Sequence, residues 1–169
     1  TSMTPLARTL KLAAGTIVLA AAMPALAQTA TGTLAVNGTV VRACTVATTP
    51  LNFGTSIPSP LVGNVDAAGG ITATCSPTVP YTVALGAGTG TGATMAVRRL
   101  MNGTNTLNYA LFTTAARTTV WGDGSGGTAT VAGVGNGAPQ SIPVFGRIPT
   151  GQAPVPGPYA DTVTVTLNF

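Results

Sequence analysis

Histidine and glutamate are absent from this chain, and Lys11 is its single lysine. The acidic residues are three aspartates, Asp66, Asp123 and Asp161, which lie far apart in the sequence. General acid–base catalysis relies on histidine or on a carboxylate or amine with a shifted pKa, and a hydrolytic serine needs a base to accept its proton. We therefore expect no catalytic residues and no enzymatic activity.

Metal ions and cofactors are not expected either. Cys44 and Cys75 are the only cysteines, and two thiolates without histidine cannot complete a structural zinc site. The glycine-rich run 86–90 lacks the lysine that follows in a phosphate-binding loop. The five arginines after residue 27 are scattered, whereas nucleic-acid binding requires a basic cluster. We expect no cofactor, no small-molecule substrate and no nucleic acid.

Residues 1–27 have the pattern of a secretory signal peptide. Arg8 and Lys11 precede an uncharged apolar run, residues 12–22, and Ala25-Leu26-Ala27 supplies a small-x-small cleavage pattern. The run is shorter than the roughly 20 residues needed to span a bilayer. Export to an oxidising compartment predicts a disulfide between Cys44 and Cys75, which would contribute roughly 3–4 kcal/mol to stability.

Charged residues are also scarce, at 6% of the chain, while hydrophobic residues make up 45%. Disorder requires low hydrophobicity and high net charge, so we expect a folded chain. A surface with so few charges is unusual for a soluble monomer. It favours a protein that packs against copies of itself.

Short stretches in which apolar and polar residues alternate dominate the chain after residue 28, and none has a sustained helical period. The stretches are Leu34–Val40, Tyr81–Leu85, Leu107–Leu111 and Tyr159–Phe169. Predicted turns or loop tips separate them, at Pro58-Ser59-Pro60, Ala68-Gly69-Gly70, Asn102-Gly103 and the glycine-rich runs 86–92 and 122–137. Alternation with period two places one face in a core, which predicts an all-β sandwich or barrel. Residues 152–158 contain three prolines and should form an extended loop before the last strand.

Several motifs together resemble one known family. They are Ala43-Cys44-Thr45-Val46, Leu51-Asn52-Phe53-Gly54, the runs 71–75, 81–85 and 107–112, Trp121-Gly122-Asp123-Gly124, the run 143–148 and the closing run 157–169. This set is similar to the spore coat protein U-like domain, the pilin domain of archaic (Csu-type) chaperone–usher pili. The closing run and the spacing between the two cysteines are its most specific parts.

The resemblance implies an all-β fold that is an incomplete immunoglobulin-like β-sandwich. The sandwich lacks its last strand and is completed by a donor strand from a neighbouring subunit. A periplasmic chaperone would first lend a strand, and at an outer-membrane usher the next subunit would replace it, which is recognition by strand addition. The expected acceptor groove and chaperone contact consists of Tyr159, Val163, Val165, Leu167 and Phe169.

The segment after the signal peptide has the pattern of a donor strand. Its residues on one parity are Gly32, Leu34, Val36, Gly38 and Val40. We expect a donor segment at residues 28–41 and a pilin domain at 42–169. The alternative is that residues 30–46 form the protein's own first strand, although Arg42 interrupts the apolar parity and most strands are 3–10 residues long.

The expected function is that of a structural subunit. Copies would join head to tail into an extracellular pilus that supports surface attachment and biofilm formation. Two alternatives stay open at this point: the tip adhesin of such a pilus, and a self-complemented secreted coat or matrix protein. Sequence patterns leave the role of Arg98 and Arg99 open, with a contact on the fibre surface among the options.

Overall fold

The computed structural model describes residues 27–169, so the predicted signal peptide lies outside the described residues except for Ala27. The described residues belong to two units, one ending at Gly38 and the other running from Thr39 to Phe169. Residues 27–43 contain no helix or strand. In residues 27–169 the structure contains no helix of the length and apolarity required to cross a membrane.

The unit from Thr39 to Phe169 is built from eight strands. They are β1 (Cys44–Thr49), β2 (Val65–Cys75), β3 (Pro80–Leu85), β4 (Arg98–Asn102), β5 (Asn105–Phe112), β6 (Val131–Val134), β7 (Gln140–Ile148) and β8 (Val165–Asn168). One antiparallel sheet has the order β1-β2-β7-β5-β4, and the other has the order β6-β3-β8. This all-β, immunoglobulin-like sandwich confirms the predicted fold class.

The core lies between the two sheets. Buried residues of the larger sheet include Ile71, Leu107, Tyr109, Leu111 and Ile148, and those of the smaller sheet include Tyr81, Val83 and Leu85. The alternation predicted for residues 81–85 and 107–111 is thus confirmed in β3 and β5. Trp121 is fully buried between them, and its indole Nε1 donates a hydrogen bond to the carbonyl of Val83 at 3.0 Å.

The predicted disulfide is confirmed. Cys44 and Cys75 face each other at the end of the β1–β2 ladder, with their Cα atoms 4.1 Å apart. The amide of Ser76 donates to the carbonyl of Ala43 at 2.9 Å beside the bond. Because β1 lies at the edge of the larger sheet, the disulfide fastens a strand that has a partner on one side only.

The turn predicted at Ala68-Gly69-Gly70 is wrong, because these residues lie in the middle of β2, paired with β7. Close packing explains the glycine at position 69 instead. A Cβ on Gly69 would meet the Cβ of Leu51 at 2.9 Å, and one on Gly146 would meet Phe53 at the same distance. Glycine inside a strand often marks such a close approach. The two glycines let the chain after β1 cross closely over the sheet.

The loop tip predicted for residues 122–137 is also wrong in part. Val131–Val134 forms β6, which pairs with β3. Within it Gly133 lies opposite Tyr81 and under its ring, so a side chain there would collide with the phenol. Loops flank this strand, and positive φ occurs at Gly124, Gly126 and Gly127 before it and at Gly137 after it.

Candidate functional site: an apolar cleft beside the terminal strand

The terminal segment, residues 159–169, changes from one sheet to the other. Ala160 exchanges two backbone hydrogen bonds with Met101 of β4, at 2.8 and 3.0 Å, so it lies beside the larger sheet. Four residues later, the carbonyl of Thr164 accepts from the amide of Gly86, and β8 then pairs with β3 in the smaller sheet. The crossing separates the sheets locally and leaves β8 at an edge.

A cavity of about 420 Å³ opens next to this crossing. Its walls come from the terminal segment, through Val163 and Val165, and from the chain that follows β1, through Leu51 and Phe53. Its floor is the inner face of the larger sheet, including Ile71, Leu111 and Val144. The cavity therefore reaches the core face of the larger sheet, although Ile71, Leu111 and Val144 themselves remain buried.

A larger cavity, of about 790 Å³, continues from the first. Leu51, Phe53 and Leu100 line both cavities, so the two adjoin along one surface, which we call the cleft. Tyr159 and the proline-containing run 154–158 form the far wall. Asp161 is the one charged residue among the described residues that line the cleft.

Both walls of the cleft present unpaired backbone. On one side β8 is an edge strand. On the other side, within the described part of the chain, residues 50–58 make no backbone–backbone hydrogen bond, and the amide of Gly54 bonds only to the side chain of Asn52, at 2.8 Å. A strand laid in the cleft would find free donors and acceptors as well as apolar side chains.

The structure places three of the five residues predicted for the acceptor groove on one wall of the cleft. Tyr159 lines the larger cavity, and Val163 and Val165 line the smaller one. Leu167 packs against the core outside both cavities, and Phe169 is 47% exposed. The missed wall is Leu51 and Phe53, whose i, i+2 spacing in the Leu51-Asn52-Phe53-Gly54 motif was the available signal.

The residues predicted as a donor strand are solvent-exposed and form no strand in the single chain. Leu34 is 88% exposed, Val36 is 85% exposed and Val40 is 96% exposed. A Cβ added to Gly32 or Gly38 would meet nothing within 4 Å. Three apolar side chains of one parity in solvent are costly for a monomer and point to an unfilled contact.

The carboxylate of Asp161 anchors the crossing. Its Oδ1 accepts from the amide of Thr89 at 2.7 Å, the hydroxyl of Thr89 at 2.9 Å and the amide of Thr162 at 2.7 Å. Its Oδ2 accepts from the Tyr109 hydroxyl at 2.7 Å. Burial, together with this hydrogen bond, raises the pKa of Tyr109 well above its ordinary value. The phenol therefore stays protonated and remains a donor.

Arg98 is fully buried beside this network, so a role on a fibre surface is excluded for it. Its guanidinium donates to the carbonyls of Gly86 at 2.8 Å, Met95 at 3.0 Å and Trp121 at 2.7 Å. Burial lowers the pKa of Arg98, and the charge of nearby Asp161 partly opposes that shift. Arginine remains charged even so, and its fork of donors ties the loop after β3 to the core.

A family model for the Spore Coat Protein U domain matches residues 30–166. "Protein U" of Myxococcus xanthus is 33% identical over 165 residues, which cover 89% of this chain and 91% of that protein.

Among solved structures, the fold is similar to a chain in the crystal structure of the CsuC–CsuE chaperone–tip adhesion subunit pre-assembly complex from archaic chaperone–usher Csu pili of Acinetobacter baumannii. The TM-score is 0.54 at 26% identity, and the match covers 78% of this chain and 40% of that one. The protein thus spans less than half of that solved chain. The match of the family model over most of the sequence shows that the chain belongs to the Spore Coat Protein U domain family.

Proposed function

We propose that this protein is a structural, non-enzymatic subunit of an extracellular chaperone–usher pilus, in which residues 28–41 of one copy fill the cleft of the next. The observation that carries the proposal is the cleft itself: an apolar opening into the core, bounded by unpaired backbone on both walls. The same chain carries an exposed apolar segment of strand periodicity.

The dimensions of the two segments match. From Ala30 to Val40 the donor parity covers ten residue steps, as the terminal segment does from Tyr159 to Phe169. An extended chain of ten steps is about 33 Å long. Burying Leu34, Val36 and Val40 would contribute about 1.5–3 kcal/mol each, and ordering the free segment opposes this gain.

Such an exchange is a heterologous contact that does not close, and it therefore produces a filament. A subunit with an empty cleft exposes core and a sheet edge, which makes it prone to aggregation before assembly. We propose that a periplasmic chaperone covers the cleft along Tyr159–Phe169 and that an outer-membrane usher exchanges it for the next subunit. The solved complex named above, of a chaperone with a tip subunit, supports this partner class. The fibre would serve surface attachment and biofilm growth.

The test compares the full chain with a chain lacking residues 28–41, each co-expressed with its periplasmic chaperone. We expect the full chain to give a detergent-resistant ladder that collapses to monomer on heating, and the deletion to give none. Val36→Asp should abolish the ladder because it places a charge on the donor parity. The matched control, Ala35→Asp on the opposite parity, should retain it. A ladder that survives the deletion contradicts the proposal.

Two other roles have one observation each in their favour. Neither gives a ladder, so folding of the deletion variant and co-purification with the chaperone distinguish them. Similarity to "Protein U" over 91% of its length favours a self-complemented coat protein, which would be a stable monomer that the deletion unfolds. Similarity to a complex with a tip adhesion subunit favours a pilus tip role. A tip subunit would bind the chaperone normally and would form no ladder with or without residues 28–41.

A further inference from the structure

Asp161 occupies a special position in the terminal segment. It lies where the terminal segment leaves β4 and has not yet joined β3. No strand holds residues 161–164, so other interactions must set the course of the backbone there. The carboxylate supplies them, through four hydrogen bonds to Thr89, Tyr109 and Thr162.

The partners of Asp161 are themselves fixed. Tyr109 is buried in β5 and its ring packs edge-to-face on Phe53, with centroids 5.9 Å apart. Thr89 belongs to the loop after β3. Arg98 fixes this loop by donating hydrogen bonds to the carbonyls of Gly86 and Met95. The carboxylate therefore joins the terminal segment to the larger sheet and to the loop after β3 and, through Tyr109, to the opposite wall of the cleft.

The loop is shaped around this carboxylate. Gly88 has φ +88°, and a Cβ on it would collide with the Asp161 carboxylate. Gly90 approaches the backbone of Arg99 just as closely. Gly88 and Gly90 are required by these close approaches, a role that goes beyond the loop tip predicted for the run 86–92.

We infer that Asp161 is a positioning residue for strand docking. It holds the crossing so that Tyr159 faces the larger cavity while Val163 and Val165 face the smaller one, before any strand arrives. This inference rests on the proposed function, because the docking strand is residues 28–41 of a second copy. Pre-organisation of this kind increases affinity by reducing the ordering cost of binding.

The experiment measures capture of a fluorescent peptide with the sequence of residues 28–41 by the full chain in complex with its chaperone, with the peptide in large excess. Asp161→Ala should capture at least about tenfold more slowly, the size expected for losing hydrogen bonds to a charged group. Asp161→Asn should remain within about threefold of wild type, since its amide oxygen still accepts from the Thr89 and Thr162 amides. The matched control, Asp123→Ala in an exposed turn, should capture at the wild-type rate.

A second pair of variants covers the case in which Asp161→Ala fails to fold, as judged by Trp121 fluorescence. Tyr109→Phe removes a single hydroxyl from the network and should slow capture about three- to tenfold. Tyr81→Phe, whose ring packs over Gly133, should have no effect.

Each outcome separates the two proposals. Wild-type capture by folded Asp161→Ala, or by Tyr109→Phe, overturns the positioning role and leaves the proposed function standing. An equal loss in Asp161→Asn and Asp161→Ala also overturns it, because the effect would then come from charge. If the wild-type chain captures no peptide, the proposed function itself fails.

Discussion

The two ends of the described chain have the same sequence pattern and different environments. Residues 30–40 and 159–169 both alternate apolar and polar side chains. In the first, Leu34 and Val36 are almost fully exposed. In the second, Tyr159, Val163, Val165 and Leu167 are half-buried and packed on the core. An alternating sequence therefore predicts an apolar face that must be buried. It does not specify which segment of chain buries that face.

The largest expected effect concerns the sandwich on which residues 159–169 pack, where the disulfide between Cys44 and Cys75 joins β1 to β2. Cys44→Ser with Cys75→Ser should lower the free energy of unfolding by about 3–4 kcal/mol, because the reduced chain gains conformational freedom when unfolded. Urea unfolding followed by Trp121 fluorescence checks this. Wild-type protein in reductant should unfold at the same urea concentration as the double variant, and unchanged stability in both would contradict the prediction.

A matched pair of valines tests the comparison directly. Val83 is fully buried and Val36 is 85% exposed. Val83→Ala should lower the free energy of unfolding of the monomeric subunit by about 2–3 kcal/mol through lost burial and a cavity. Val36→Ala should leave it within about 0.5 kcal/mol, as for other surface sites. Equal losses at both positions would show that the N-terminal segment is already part of the folded core.

Limited proteolysis compares the accessibility of the N-terminal segment with that of the sandwich. Arg42 is exposed and outside any strand, whereas Arg98 is buried in β4. Trypsin should cut the monomer after Arg42 at least about tenfold faster than after Arg98, since cleavage within a packed strand requires local unfolding. Mass spectrometry over a time course identifies the first product. Early cleavage after Arg98 would contradict the packing described for that residue.

The smallest effect lies on the outer face of the larger sheet. Asp66 accepts from Arg147 at 2.7 and 2.8 Å and lies 3.3 Å from Arg117. The hydrogen bond to Arg147 lowers the pKa of Asp66, so its contribution to stability is present above the ordinary carboxyl pKa and is lost as the pH falls through the folded value.

Because the Asp66 side chain is 37% exposed, we expect that contribution to stay under about 1 kcal/mol. The stability difference between wild type and Asp66→Asn should therefore be small at pH 6 and should shrink further as the pH falls below the ordinary carboxyl pKa. High salt should shrink it at pH 6 as well, since exposed pairs are screened. A difference that grows toward acid pH would contradict the sign of the shift.

Some features of the fold could be predicted because they depend on neighbours in sequence. The alternation at Tyr81–Leu85 and Leu107–Leu111 predicts β3 and β5, and Asn102-Gly103 predicts the turn between β4 and β5. The disulfide followed from export and from the absence of any other thiol. The motif Leu51-Asn52-Phe53-Gly54 supports the family resemblance, but its sequence does not reveal that Leu51 and Phe53 form a wall of the cleft.

Other features were missed because their cause lies far away in the chain. The sequence around Gly69 predicts a turn, whereas in the structure Gly69 lies in a strand and Leu51 packs directly against it. Arg98 reads as a surface charge until the carbonyls of Gly86, Met95 and Trp121 surround it. In each case the sequence pattern indicates the chemical character of the residue, but it does not indicate which distant residues pack around it.

Periodicity and composition act locally, so they were enough to predict an all-β, disulfide-linked chain that contains no histidine and no glutamate. They also predict an apolar face on each of two segments, residues 30–40 and 159–169. That one of these faces lines a cleft is visible in the tertiary structure alone, since it depends on where the terminal segment passes from one sheet to the other. Burial and hydrogen-bond partners are properties of residues brought together from across the chain, and no single stretch contains them.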